Sequence, residues 1–267
     1  FMFCENVGFE EHYLTYAMYK DYIRKYKINN FVETEYIIEK QRMIKDDEEI
    51  SNIIKACNIT DDCFKYILSY IKPGMTEKQI AKEIDDYYAE RTDGTSFDTI
   101  VASGENSSKP HAVPSNRKIQ EYDIITIDMG CKVNGYCSDM TRTFFVGEPT
   151  EEMKRVYDLV LSNQEFALDQ YKEGASTRQV TKMVENDFKL NGYDLIHSLG
   201  HGVGLEIHEP PYVGIRYDST LRENMVVTDE PGIYIPGKFG VRIEDTVQIT
   251  KFGSVSLTAS DKGYIII

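Results

Sequence analysis

No stretch of this sequence is apolar for long enough to cross a bilayer, and no segment has the pattern of a signal peptide. Cysteine is scarce: five residues, an odd number, at spacings that fit neither a zinc site nor a disulfide framework. All five, from Cys4 to Cys137, are therefore expected as free thiols, which suits a cytoplasmic protein. Positive charge is also in short supply. Thirty Lys and Arg stand against 44 Asp and Glu, and a net charge of −14 argues against nucleic acid or a membrane surface as a main partner. What is left is an ordinary composition, 41% hydrophobic and 28% charged, in 267 residues. That length supports one large domain or two modest ones with a sizeable core.

The most informative stretch runs from Asp123 to Val146 and reads as two strands around Asn134-Gly135, a strong short-range hairpin signal. A two-residue turn there sets Val133 against Tyr136 and, counting outward, Asp128 against Thr141. Asp139 then shares a sheet face with Asp128 as its diagonal neighbour, about 7–8 Å away at the backbone. Two carboxylates on one face of an apolar strand pair are costly without a compensating positive charge, and a shared metal site supplies one. In the same register Cys131 and Cys137 point to opposite faces. Cys137 is expected as a small buried side chain rather than a ligand.

Residues 1–45 are rich in Tyr, Phe and charge without a clean period, and Phe31 to Ile38 is compatible with a strand or a short helix. The chain opens with Phe1 rather than Met, so these residues are expected to be the tail of something longer. From Asp46 the period sharpens. Ile50, Ile53, Ile54, Cys57, Phe64, Ile67, Leu68 and Ile71 follow helical spacing up to Lys72-Pro73-Gly74. Thr76-Glu-Lys-Gln79 is a capping box that opens a second helix with Ile80, Ile84 and Tyr87 on its buried side.

The same arrangement returns one hundred residues later. A helical stretch from Thr150, through Met153, Val156, Val160, Leu161 and Leu168, leads to Tyr171, where Lys72/Lys172, Gly74/Gly174, Thr76/Ser176, Gln79/Gln179, Lys82/Lys182 and Ile84/Val184 coincide. This is an internal duplication, and both copies are expected to keep the capping box. It extends into polar positions: Asp128-Met-Gly130 matches Glu230-Pro-Gly232, Asp139-Met-Thr141 matches Glu244-Asp-Thr246, and Lys109-Pro-His111 resembles Glu206-Ile-His208. Each half thus offers two carboxylates and a histidine in the same order. If the halves pack about a pseudo-two-fold axis, the four carboxylates converge.

Beside them stands Gly200-His201-Gly202, whose glycines suggest a close backbone approach of the kind that suits a tightly held ligand. Asp128, Asp139, His201, Glu230 and Glu244 form an oxygen-rich donor set suited to two divalent ions. Ions about 3.5–4 Å apart need bridging carboxylates; Asp139 and Glu244 are placed to bridge, Asp128 and Glu230 to be terminal, and His201 to cap one metal. His111 and His208, both beside prolines, are candidates for substrate positioning or proton transfer. His197 either lines the pocket or supports it, and His12 has no assigned role. Arg242 shares a strand face with Glu244 and is expected to orient that carboxylate. Thr141 and Thr246 are placed to do the same for Asp139 and Glu244.

These residues, over 46–267, resemble the metallopeptidase family that contains methionine aminopeptidase, aminopeptidase P (Xaa-Pro aminopeptidase) and prolidase. All five positions of that family's Asp-Asp-His-Glu-Glu dinuclear centre have a counterpart here. The resemblance implies an α+β, pita-bread fold, internally duplicated, with a curved antiparallel sheet and helices on its outer face. Pro110-His111-Ala-Val-Pro-Ser-Asn-Arg-Lys118 and Gly240-Val-Arg242-Ile-Glu244-Asp-Thr-Val look like the aminopeptidase P and prolidase branch. Methionine aminopeptidases generally carry a Gln-Phe-Glu-His type sequence near the last ligand. For this chain the resemblance implies two divalent ions, Mn²⁺ first and Co²⁺ or Zn²⁺ as alternatives, and substrates with proline at the second position. Glu230 would accept the water's proton, with His111 and His208 holding the carbonyl. Residues 1–45 would be the tail of a creatinase-like N-terminal domain, and a homodimer is compatible with this branch. Xaa-Pro aminopeptidase activity is the expectation. Prolidase is the rival, with a non-catalytic peptide-binding protein of the same fold as a third reading and a metal-free creatinase-like hydrolase disfavoured.

Overall fold

The computed structural model describes residues 5–267, so the expectation for Cys4 lies outside the described residues. The chain separates into two compact units after Arg42. The first holds β1 (Val7–Glu10), α1 (Tyr16–Tyr26), β2 (Phe31–Thr34) and α2 (Ile37–Arg42), with β1 and β2 paired in parallel across α1. The ambiguous stretch Phe31–Ile38 is both a strand and the start of a helix.

In the second unit, α3 (Asp47–Tyr70) opens on a capping box: Asp46 accepts from the backbone of Glu48 and Glu49, while Glu49 accepts from the Asp46 N–H. It buries Ile53, Cys57, Phe64 and Ile67, but Ile54 is exposed and Leu68 only half-buried. In α4 (Glu77–Ala89) Tyr88, not Tyr87, completes the buried stripe with Ile80 and Ile84. Tyr87 lies one position round the helix, where its ring stacks on Tyr66 and carries the Arg91 guanidinium. These helices cover β3 (Ile100–Ser103), β4 (Ile124–Met129) and β7 (Met140–Phe145) in the order β3-β4-β7, and Ile125, Ile127, Met129, Met140 and Phe144 face them in one core. The tip of the β4–β7 hairpin is β5 (Lys132–Val133) and β6 (Tyr136–Cys137). Asn134 and Gly135 have φ of 51° and 82°, the left-handed pair that a two-residue primed turn requires. The register is the expected one, with Val133 opposite Tyr136 and Asp128 opposite Thr141.

The second half repeats the plan. Helices α5 (Glu151–Gln170) and α6 (Thr177–Leu190) pack on a second core formed with β8 (Gly200–Gly202), β9 (Glu209–Val213), β10 (Val226–Asp229), β11 (Gly232–Ile235), β12 (Phe239–Arg242), β13 (Asp245–Ile249) and β14 (Ser254–Ser256). Strand order in its sheet is β14-β13-β10-β8-β9, and β11-β12 is a separate ribbon. Its capping box is incomplete: Ser176 accepts from the Gln179 N–H, and among the described residues Gln179 returns no bond to the Ser176 N–H. The four described cysteines, Cys57, Cys63, Cys131 and Cys137, are free and buried, with Cys131 and Cys137 in different apolar clusters. No helix among the described residues is long and apolar enough to cross a membrane.

The halves meet where β7 runs antiparallel to β12 and β13. The Thr246 hydroxyl accepts from the Asp139 N–H (3.1 Å) and donates to the Asp139 carbonyl (2.7 Å). The Glu244 N–H donates to the Thr141 carbonyl (3.1 Å), and the Thr141 hydroxyl donates to the Glu244 carboxylate (2.6 Å). Thr141 and Thr246 each serve the other half's acidic residue, as a two-fold relation demands.

Candidate active site

The seam brings the acidic residues together. Asp139 precedes β7, Glu244 precedes β13, Glu230 follows β10, Asp128 lies in β4 and His201 is the centre of β8. Asp139, His201 and Glu244 each offer one donor atom, all within 4.8 Å of one another and all buried. The His201 Nε2 lies 3.5 Å from both Asp139 Oδ2 and Glu230 Oε1. Its Nδ1 is 3.1 Å from the Gly202 carbonyl, which only accepts, so Nδ1 carries the hydrogen and Nε2 turns a lone pair to the carboxylates. Burial, helped by His208, lowers the His201 pKa to about 3, so the ring is a neutral donor. The glycines beside it admit neighbouring strands: a Cβ on Gly200 would lie 2.1 Å from the Thr228 carbonyl, and one on Gly202 2.5 Å from that of Glu209. The close approach expected for a ligand is one between strands.

Burial raises Asp139 and Glu244 well above the carboxylate range, and the neighbouring carboxylates add to it. Burial also lifts Glu230 to about 7, with Asp128 adding and Arg242 opposing. One Asp128 oxygen, Oδ1, is buried without a hydrogen-bond partner among the described residues. A crowd of buried carboxylates, an unpartnered oxygen and a neutral imidazole together fit divalent cations. On the opposite face of β10, Asp229 is buried with neither oxygen partnered among the described residues, and burial raises its pKa well above the usual range.

Arg242 differs from expectation. Its Nη2 donates to Asp128 Oδ2 at 2.7 Å, not to Glu244, and its Nε donates to the Thr141 hydroxyl at 3.0 Å. Thr141 in turn holds Glu244, so one guanidinium orients a carboxylate of each half, one directly and one through a hydroxyl. The β-strand count placed Arg242 and Glu244 on one face, but the planar fork reaches across the seam rather than along its own strand. Nη1 donates to the Pro110 carbonyl (3.1 Å) and to the Tyr234 hydroxyl (2.7 Å). Tyr234 lies 3.1 Å from His197 Nε2, so His197 lines the cavity and is held there. The sequence reading passed over Tyr234. Its one signal is Gly240, directly opposite in the β11–β12 ribbon, where a Cβ would lie 2.7 Å from the ring.

The site forms one wall of a cavity of about 520 Å³ that also reaches His111 and His208. His111 and His208 are exposed to it, and the His208 ring centroid is 4.2 Å from that of His201. Phe97, Ile100, Ile207, Tyr212 and Tyr217 complete an apolar side that periodicity did not reveal. His12 is elsewhere, in the first unit, 2.9 Å from Glu35 on the surface.

The model of metallopeptidase family M24 matches residues 51–251. An Xaa-Pro dipeptidase of Pyrococcus furiosus is 41% identical over 93% of this chain and 72% of its own length. An Xaa-Pro dipeptidase from Bacillus anthracis superposes with a TM-score of 0.93 at 41% identity, covering 98% of this chain and 74% of that one. An X-Pro aminopeptidase from Thermotoga maritima gives the same TM-score at 36% identity, covering 98% and 75%. The fold is the duplicated pita-bread α+β arrangement, and the chain belongs to metallopeptidase family M24.

Proposed function

We propose that this protein hydrolyses the bond between an N-terminal residue and a following proline, with Xaa-Pro dipeptides as preferred substrates. The observation that carries the reaction is the convergence of Asp128, Asp139, His201, Glu230 and Glu244 on the cavity that holds His111 and His208. The preference for dipeptides departs from the aminopeptidase expectation. Two relatives named Xaa-Pro dipeptidase are 41% identical, against 36% for the one named X-Pro aminopeptidase. Arg242 supports it as well. Among the described residues lining the cavity it is the one lysine or arginine, and its Nη2, which carries two hydrogens, gives one to Asp128. The other can meet a dipeptide's free carboxylate.

Asp128, Asp139, His201, Glu230 and Glu244 would hold two divalent ions; Mn²⁺ suits this oxygen-rich set. Bound there, the ions supply Lewis acidity at the scissile carbonyl and a more acidic water. Glu230, which lines the cavity beside His201, takes the proton of the attacking water. His111 and His208 donate to the carbonyl oxygen as negative charge develops there. Arg242 keeps Asp128 and Glu244 in place throughout. Proline offers no N–H, so its ring needs an apolar wall, and Phe97, Ile100, Ile207, Tyr212 and Tyr217 provide one.

Xaa-Pro and Xaa-Pro-Xaa peptides assayed side by side with added Mn²⁺ test the proposal. Turnover of the dipeptide well above the tripeptide is expected. A preference for the tripeptide returns the aminopeptidase reading, and failure to bind metal leaves a peptide-binding protein of this fold.

A further inference from the structure

The segment that carries Pro110 and His111 has little regular structure of its own. It leaves β3 at Ser103, makes one 3₁₀ turn over Gly104–Ser108, and enters β4 only at Ile124. One buried carboxylate ties together the stretches on either side of His111. Glu77, in the first turn of α4, is fully buried. Its Oε1 accepts from the Ser103 N–H and the Ser103 hydroxyl, both at 2.7 Å. Its Oε2 accepts from the Ser115 N–H (2.9 Å), the Ser115 hydroxyl (2.7 Å) and the Asn106 amide (2.9 Å). Those donors bracket His111 on both sides in sequence. A buried carboxylate with this many donors is satisfied without a cation, and it is costly to alter.

The other half shows that the fold does not demand this carboxylate. At the duplicated position stands Thr177, also fully buried, whose hydroxyl accepts from the Ser219 N–H at 3.1 Å. The backbone duty is common to both: the Glu77 N–H donates to the Arg117 carbonyl (3.1 Å) and the Thr177 N–H to that of Ser219 (2.9 Å). The bridges Thr76–Lys118 and Ser176–Thr220 correspond as well. What differs is the cargo. The segment under Glu77 brings His111 to the cavity and presents the Pro110 carbonyl to Arg242, which holds Asp128.

Building on the proposed hydrolase activity, we infer that Glu77 is a positioning residue for the reaction, acting through the placement of His111 and Pro110. It touches neither the metal-binding set nor the cavity.

The test is a double-mutant cycle of Glu77→Gln with His111→Ala, measured on Mn²⁺-loaded protein with an Xaa-Pro dipeptide. Glu77→Gln is expected to keep full metal content and to lower kcat about 100-fold, the cost of a misplaced group. In the His111→Ala background the same change should cost only a few-fold, because the two act through one segment. Limited trypsin digestion supplies a readout independent of turnover. Cleavage at Arg117 or Lys118 should accelerate in Glu77→Gln and stay unchanged in Thr177→Ala. If Glu77→Gln does not fold, Ser115→Ala, which removes one hydroxyl donor, carries the same cycle and digestion. Additive losses, lost metal, or an unaltered digestion pattern would each overturn the assignment. A wild-type protein that cleaves no Xaa-Pro peptide would instead sink the proposed activity, leaving the digestion to judge Glu77.

Discussion

The two halves of the second unit have the same helices, strands and polar positions, yet they contribute unequally to the site. In the first half the carboxylates Asp128 and Asp139 are joined by one continuous hairpin with a tight Asn-Gly turn. In the second, Glu230 and Glu244 flank the ribbon β11–β12, a longer counterpart of β5–β6, and that ribbon brings Tyr234 and Arg242. The imidazole is just as one-sided. Ala102 pairs with Thr126 in the first half, while in the second the His201 N–H donates to the hydroxyl of Thr228, the residue that matches Thr126. Histidine therefore occurs in one half where the other has alanine. The duplicated backbone makes a symmetric cradle of carboxylates, and departures from the repeat supply the neutral donor and the cation.

The largest way to break this comparison is to remove one acid of the cradle. Asp139→Ala is expected to abolish metal binding and peptide hydrolysis while leaving circular dichroism unchanged. Full retained activity would remove Asp139 from the site.

A second, smaller effect lies behind the cradle. Asp245 is buried beneath Glu244 and accepts from Arg142 (2.7 Å), Lys262 (2.8 Å), Thr258 (2.8 Å) and Gln164 (3.0 Å). The repeat puts Met140 at the matching place in the first half, in the apolar core. Asp245→Ala strands Arg142 in the interior and should cost about 3–5 kcal/mol in urea unfolding. A loss under 1 kcal/mol would show that solvent already reaches that pair.

The smallest contrast is at the helix caps. Thr76 and Ser176 begin α4 and α6, but only Thr76 receives the reciprocal bond, from its own N–H to Gln79 at 2.8 Å. Gln79→Ala, which removes the acceptor of that bond, should cost about 1 kcal/mol, and Gln179→Ala measurably less. Equal losses in thermal melts would mean that the incomplete box closes in solution.

Features set by neighbours along the chain were legible in advance. The Asn-Gly turn fixes which residues face each other, so the Asp128 and Asp139 face followed by counting. The capping signals and apolar periods placed α3 to α6, and the repeat predicted that the acids of both halves would meet. Errors of one position, such as Tyr87 for Tyr88 and Ile54 in the buried stripe, arise because a helical period marks a face about a residue wide of its centre.

By itself, then, the sequence determined helices α3 to α6, the hairpin register and the identity of the convergent acids, because capping, turn chemistry and side-chain periodicity act over a few residues. Tertiary structure alone decided which carboxylate Arg242 holds, that Tyr234 links it to His197, that Glu77 anchors the His111 segment, and where the apolar wall stands. Each of those contacts joins strands or loops distant in sequence. Their partners are chosen by how the two halves pack across the seam, and no local period encodes that.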